Sequence, residues 1–228
     1  MTPDEITALL LSLKVAATAM AASLPFAIVI AFALARLQFP GKSLVQSIVQ
    51  LPLVLPPVVT GFFLLVLLGR NGAIGAWLYR TLDITFAFRW TGAAIAAGVM
   101  GFPLMERAIQ LSAELVDRRL EQAAATLGAG WLRIFATVTL PLMLPGIVTG
   151  ILLSFGRALG EFGATITFVS NIPGETRTLP LAIYTLTQIP GQNGAALRLV
   201  LISVALSLVT LIGGEYLNRR ATMRVQGR

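Results

Sequence analysis

Five apolar runs long enough to cross a lipid bilayer dominate this chain, at residues 6–35, 44–68, 91–111, 139–159 and 196–217. A helix of about 20 apolar residues spans the hydrocarbon layer, and each run reaches that length. Inside lipid the backbone must satisfy its own donors and acceptors, which a helix does within one segment. Charged residues make up 12% of the chain and hydrophobic residues 56%, with a mean hydropathy of +0.83. Soluble domains carry roughly twice that charge. The implied fold class is all-α and polytopic, a single transmembrane domain over residues 1–228.

Composition also removes several functions. Cysteine and histidine are both absent. Their absence rules out disulfides, thiolate metal sites, the common axial ligand of b-type haem and the usual histidine proton relay. No metal site, no catalytic residue and no cofactor bound by this chain are expected. The net charge is +7, but the basic residues are scattered between apolar runs and pair only at Arg118-Arg119 and Arg219-Arg220. That is the pattern of membrane flanks, so lipid is an expected partner and nucleic acid is not.

Along the chain, Asp4 and Glu5 precede the first run, where a cleaved leader would be basic; the run is expected to stay as a span, tilted or bent at Pro25. Gly41-Lys42-Ser43 looks like the end of a phosphate-binding loop, but Arg36 stands where the earlier glycine is required and no strand precedes it. The second run carries Pro52, Pro56 and Pro57. Each proline removes a donor and frees a carbonyl upstream. Two readings fit, a broken helix beside a translocation path or a kink made for packing. Residues 70–90 read as a loop with interfacial aromatics Trp77, Tyr79 and Trp90.

Residues 161–195 are too polar for a plain span, and the pieces 162–169 and 179–186 are each too short to cross. A pair of half-helices, a re-entrant fold or a sixth crossing would account for them. Arg157 and Glu161 lie four apart and can pair on one helical face. Gly163, Thr165, Thr167, Ser170 and Asn171 come next. Small residues with hydroxyls and amides suit a path for a polar solute, and they equally suit helix packing. With Pro56, Pro57 and Glu161 they form the candidate path or gate.

The stretch EQAAATLGAGWLRIFATVTLP at residues 121–141 is the most polar-flanked and helix-ready part of the chain. Leu120, Ala123, Ala124 and Leu127 fall on one helical face. Gly128 stands next, at the position where a left-handed stop favours glycine. A second amphipathic run, from Trp131 to Val138, precedes membrane insertion near Leu140-Pro141. Such a helix can dock in a protein groove or lie on headgroups. With the loop over residues 115–137 placed in the cytoplasm, ten of the 17 basic residues fall inside: Arg36, Lys42, Arg107, Arg118, Arg119, Arg133, Arg219, Arg220, Arg224 and Arg228. Lys14, Arg70, Arg80, Arg89, Arg177 and Arg198 fall outside, and Arg157 is left in or near the membrane. The bias favours five spans with the amino end outside and the carboxyl end in the cytoplasm. No internal repeat is present, so a symmetric pore needs a second copy of the chain.

These motifs carry a resemblance. EQAA-x-x-LG, nine residues, then Val-x-Leu-Pro is similar to the EAA loop of membrane subunits of ATP-binding-cassette importers. In that family the loop forms a cytoplasmic coupling helix held in a cleft of the ATPase subunit. The resemblance implies that role for Glu121, Gln122, Ala123, Ala124, Leu127 and Gly128. Two positions depart from the motif: its glutamate is Gln122 here, with Glu121 one place early, and its isoleucine is Val138. RALGEFGA also resembles sulfate and thiosulfate permeases, and NIPGETRTLP-x-AIYTL is most similar to the molybdate permeases of this family. The resemblance implies a type I importer permease fold, a homodimer, an ATPase subunit pair, a periplasmic oxyanion-binding protein and a bacterial inner-membrane location. Molybdate is the implied solute, with sulfate, thiosulfate or tungstate as alternatives. An ion-coupled secondary transporter is the rival class. It predicts acidic residues in mid-span, whereas Glu106, Glu161 and Glu215 read as lying near span ends.

Overall fold

The computed structural model describes residues 1–225. Arg228, counted above among the inside charges, lies outside the described residues, as does the end of the domain at 226–228. Among the described residues every regular element is helical.

Helix α1, Pro3–Arg36, begins at a capping box: Thr2 accepts from the Glu5 amide and Glu5 accepts from the Thr2 amide. It continues through Pro25 for 34 residues, about 51 Å at 1.5 Å per residue. After Gly41, in the left-handed region at φ 87°, come α2, Lys42–Val54, and α3, Pro57–Leu68. A short α4, Gly75–Leu82, leads to α5, Trp90–Leu115. The 115–137 loop holds α6, Arg118–Thr126, and α7, Trp131–Ile134. A π-helical turn, Phe135–Thr139, joins α7 to α8, Leu140–Leu159. The remaining helices are α9, Gly163–Val169, α10, Leu179–Thr187, and α11, Asn193–Val225.

The centre of the bundle is α5, packed between α1 and α8. Its buried face is built from Ala93, Ala94, Ala96, Ala97, Gly98 and Gly101. Small residues let helix backbones approach closely, which is how helices associate in lipid without a hydrophobic drive between them. A Cβ on Gly150 of α8 would sit 2.8 Å from the Met105 carbonyl oxygen of α5. Gly150→Val is therefore expected to destabilise the bundle by about 1–3 kcal/mol through overpacking. Thermal inactivation in detergent measures it, and an unchanged midpoint would contradict this contact. On the outside, Val209 and Ile212 of α11 are more than two-thirds exposed, as expected of side chains facing lipid.

Side-chain contacts fix the directions of the long helices. Lys14 of α1 lies over the Trp90 ring at the start of α5, and Arg198 of α11 pairs with Glu5 at the start of α1. At the other end Arg36 reaches Val116 and Glu121. So α1, α5 and α11 run in one direction and α8 returns. The amino terminus and the central loop lie at opposite ends of the bundle, and α11 runs toward the end that carries the loop.

The second apolar run differs from a single kinked span. Helices α2 and α3 meet at 113°. Leu55 is extended, the conformation favoured before proline, and Pro56 has no amide to continue the ladder (φ −54°, ψ 132°). Pro57 opens α3 at a position where proline is tolerated. Among the described residues four helices are long and apolar enough to cross a membrane, or five crossings if the bent pair is one span.

Two further expectations need correction. The 70–90 segment is more than a loop, because residues 75–82 form α4, ended by Asp83 in the left-handed region. The amphipathic run from Trp131 is not a separate surface helix. It is the first part of a 29-residue helical stretch, Trp131–Leu159, with the π turn at the joint. Residues 161–195 match the half-helix reading: α9 has 7 residues and α10 has 9, and neither can cross.

Candidate functional site

The central loop projects from the bundle. Asp117 caps α6 by accepting from the Arg119 amide at 2.9 Å, and Gly128 ends it at φ +82°. That glycine conformation satisfies the last turn of a helix where a Cβ would be strained. No residue of α6 is buried. Leu127 is 88% exposed and Trp131 71%, with Leu120, Leu132, Gln122 and Ala123 also exposed and Ala124 half-buried. An apolar patch of this kind on a polar-flanked loop marks an interaction surface. A Cβ on Gly128 or Gly130 would meet nothing within 4 Å, so the turn is open on its outer side.

Within α6, Glu121 faces the bundle. Its Oε1 accepts from Arg36 Nη2 at 3.2 Å and from the Thr139 hydroxyl at 2.7 Å. The motif's displaced acidic residue thus makes a salt bridge inside its own chain. Arg36 and Thr139 were not singled out by sequence reasoning. Their partners lie 85 and 18 residues away, beyond any local pattern.

At the opposite end of α8, Arg157 and Glu161 form the expected pair, at 2.6 Å, with the Glu161 side chain 1% exposed. Glu161 Oε1 also accepts from the Ala164 amide at 2.7 Å, so the carboxylate caps α9 as well as pairing with α8. The α9 helix packs on α3 at backbone distance. A Cβ on Gly163 would lie 2.8 Å from Pro57 Cβ, and one on Gly61 would lie 2.5 Å from the Ala164 carbonyl oxygen. The structure therefore brings Gly163 against Pro57 and Thr167 against Gly61, with Pro56 exposed. Thr165 does not line an open path in this chain, because it is 1% exposed. Ser170 is exposed, at φ 64° and ψ −159°, a region nearly confined to glycine. Asn171 is tied down by Thr185 at 2.8 Å and Arg177 at 2.9 Å.

Glu106 departs from its expected place. It is fully buried within α5 and accepts from Gln50 of α2 at 3.1 Å, so the second run is tied to the central helix by a buried carboxylate rather than by a solvated helix end. Its sequence signal was the charge itself, and its depth was hidden because α5 continues to Leu115.

The chain is thus a helical bundle with a bent second span, two half-helices and an exposed loop helix. The chain belongs to the family of binding-protein-dependent transport system inner membrane components, which it matches over residues 23–223. It is 60% identical over 219 residues to the molybdenum transport system permease protein ModB of Escherichia coli strain K12, covering 96% of each chain. It is 55% identical over 216 residues to ModB of Haemophilus influenzae, covering 95% of this chain and 94% of that one. In fold it is similar to a chain in the crystal structure of a bacterial alginate ABC transporter in complex with alginate pentasaccharide-bound periplasmic protein. The TM-score there is 0.77 at 18% identity, covering 97% of this chain and 81% of that one.

Proposed function

We propose that this chain is the pore-forming subunit of an ATP-driven molybdate importer in a bacterial inner membrane. Two copies form the pore, a pair of ATPase subunits hydrolyses ATP, and a periplasmic oxyanion-binding protein delivers the solute. The amino end is outside, and the loop and carboxyl end are cytoplasmic. The chain itself performs no covalent chemistry. The observation that carries the coupling role is the unburied helix α6 with exposed Leu120, Ala123, Leu127 and Trp131 beside it. Leucines left exposed off the membrane are stabilised by a protein groove. Closure of the ATPase pair displaces α6, and the transmembrane helices carry that displacement to the α3–α9 contact, where Gly163 meets Pro57 and Thr167 meets Gly61. Similarity over almost the full chain to molybdenum permeases supports the solute.

The test is uptake into proteoliposomes holding the chain with its ATPase subunits and binding protein. Labelled molybdate should accumulate only with ATP at the ATPase side and resist excess sulfate. Suppression by sulfate would reassign the solute. Uptake that survives removal of the ATPase subunits but is abolished by a proton uncoupler would reassign the class to ion-coupled transport.

A further inference from the structure

The exposed helix α6 needs a rigid connection to the bundle if its movement is to reach the pore, and the side-chain contacts making that connection converge on Glu121. Arg36, the last residue of α1, places one nitrogen, Nη2, 3.0 Å from the Val116 carbonyl oxygen and 3.2 Å from Glu121 Oε1. Val116 is the C-cap of α5. The same Glu121 oxygen accepts from Thr139, 1% exposed, at the end of the π turn that begins the long helix of α8. A single ion pair therefore ties the ends of α1, α5, α6 and α8. The Arg36 side chain is only 10% exposed and the Glu121 side chain 22%. Burial of that degree spares the pair most of the solvent screening that weakens surface ion pairs. Arg36 Nε is buried without a hydrogen-bond partner, so the contacts of the guanidinium with Val116 and Glu121 both run through Nη2. Phe32 and Phe135, in edge contact at 5.0 Å, brace the same joint one turn away.

We infer that Arg36 is a positioning residue for energy coupling: it transmits displacement of α6 to α1 and α5, while Thr139 transmits it to α8. This rests on the coupling role proposed for α6. It assigns Arg36 no contact with the ATPase subunit, which distinguishes it from residues of the docking face. Losing Arg36 should leave docking intact and break transmission.

The experiment uses the full complex in proteoliposomes and reads labelled molybdate imported per ATP hydrolysed. For Arg36→Gln the expected result is a ratio at least tenfold lower, with ATPase subunits copurifying in the parent proportion and still hydrolysing ATP. Glu121→Gln should lower the ratio to the same level. The double variant should fall no further, because two partners in one interaction are not additive. A parent-like ratio for Arg36→Gln overturns the inference and leaves the coupling reading standing. If Arg36→Gln fails to reach the membrane, Glu121→Gln carries the test, and a parent-like ratio there overturns the inference in the same way. Failure of ATPase subunits to copurify with the parent chain overturns the coupling reading and this inference with it.

Discussion

Gly128→Trp is expected to abolish molybdate uptake while the chain still accumulates in the membrane fraction. The residue stands at φ +82°, and a Cβ there would meet nothing within 4 Å. An indole would thus extend into the open space beside Leu127, where we propose that the ATPase subunit seats. The backbone strain of a side chain at this φ is about 1–2 kcal/mol, and it falls on a turn whose preceding helix buries no residue. The transmembrane core has no share in it. Gly128→Ala separates the two effects, since it carries the strain but adds one carbon, and it should retain most of the uptake. Membrane abundance, copurified ATPase and uptake are the three measurements. Normal uptake by the tryptophan variant would remove the docking role from this turn.

Arg157→Met should cost more in stability than any single change at the loop. Its removal leaves the Glu161 carboxylate, 1% exposed, without its cation. Stranding one partner of a buried pair costs roughly 3–5 kcal/mol. The Ala164 amide still donates to Glu161, so α9 retains its cap but loses its tie to α8. The expected outcome is a marked fall in folded chain recovered in detergent, with uptake per folded molecule falling as well, because α9 carries Gly163 and Thr167 against α3. The double change Arg157→Met with Glu161→Gln should recover much of the lost stability, since the Ala164 amide keeps an acceptor. Recovery of fully folded Arg157→Met at the parent midpoint would show that the pair contributes little.

The residues differ in how plainly they declared these roles. Gly128 and the four-residue spacing of Arg157 and Glu161 are local signals, and the structure realises both in the form the spacing dictates. The apolar runs were equally plain, because length and hydropathy suffice for them. Pro56 and Pro57 announced a break but not its size: the 113° bend depends on the packing partners of α2 and α3, which no spacing encodes. The π turn was invisible for a related reason. Phe135–Thr139 has no breaker residue inside it, and the apolar period simply drifts by one position. Asp117 is a local cap signal of the same kind, an acidic side chain accepting from an amide two residues on. Arg36, Thr139 and Gln50 acquire meaning only from partners distant in sequence. Composition groups Thr165 with the path residues, and within the single chain it is 1% exposed.

Helix α1 begins at one end of the bundle and α6 lies at the other end only. In the homodimer we propose, two copies of α6 can reach one pair of ATPase subunits only if the two-fold axis relating them stands along the membrane normal. An axis lying in the plane of the bilayer would leave one helix on each side, and half the assembly would be out of reach of its motor.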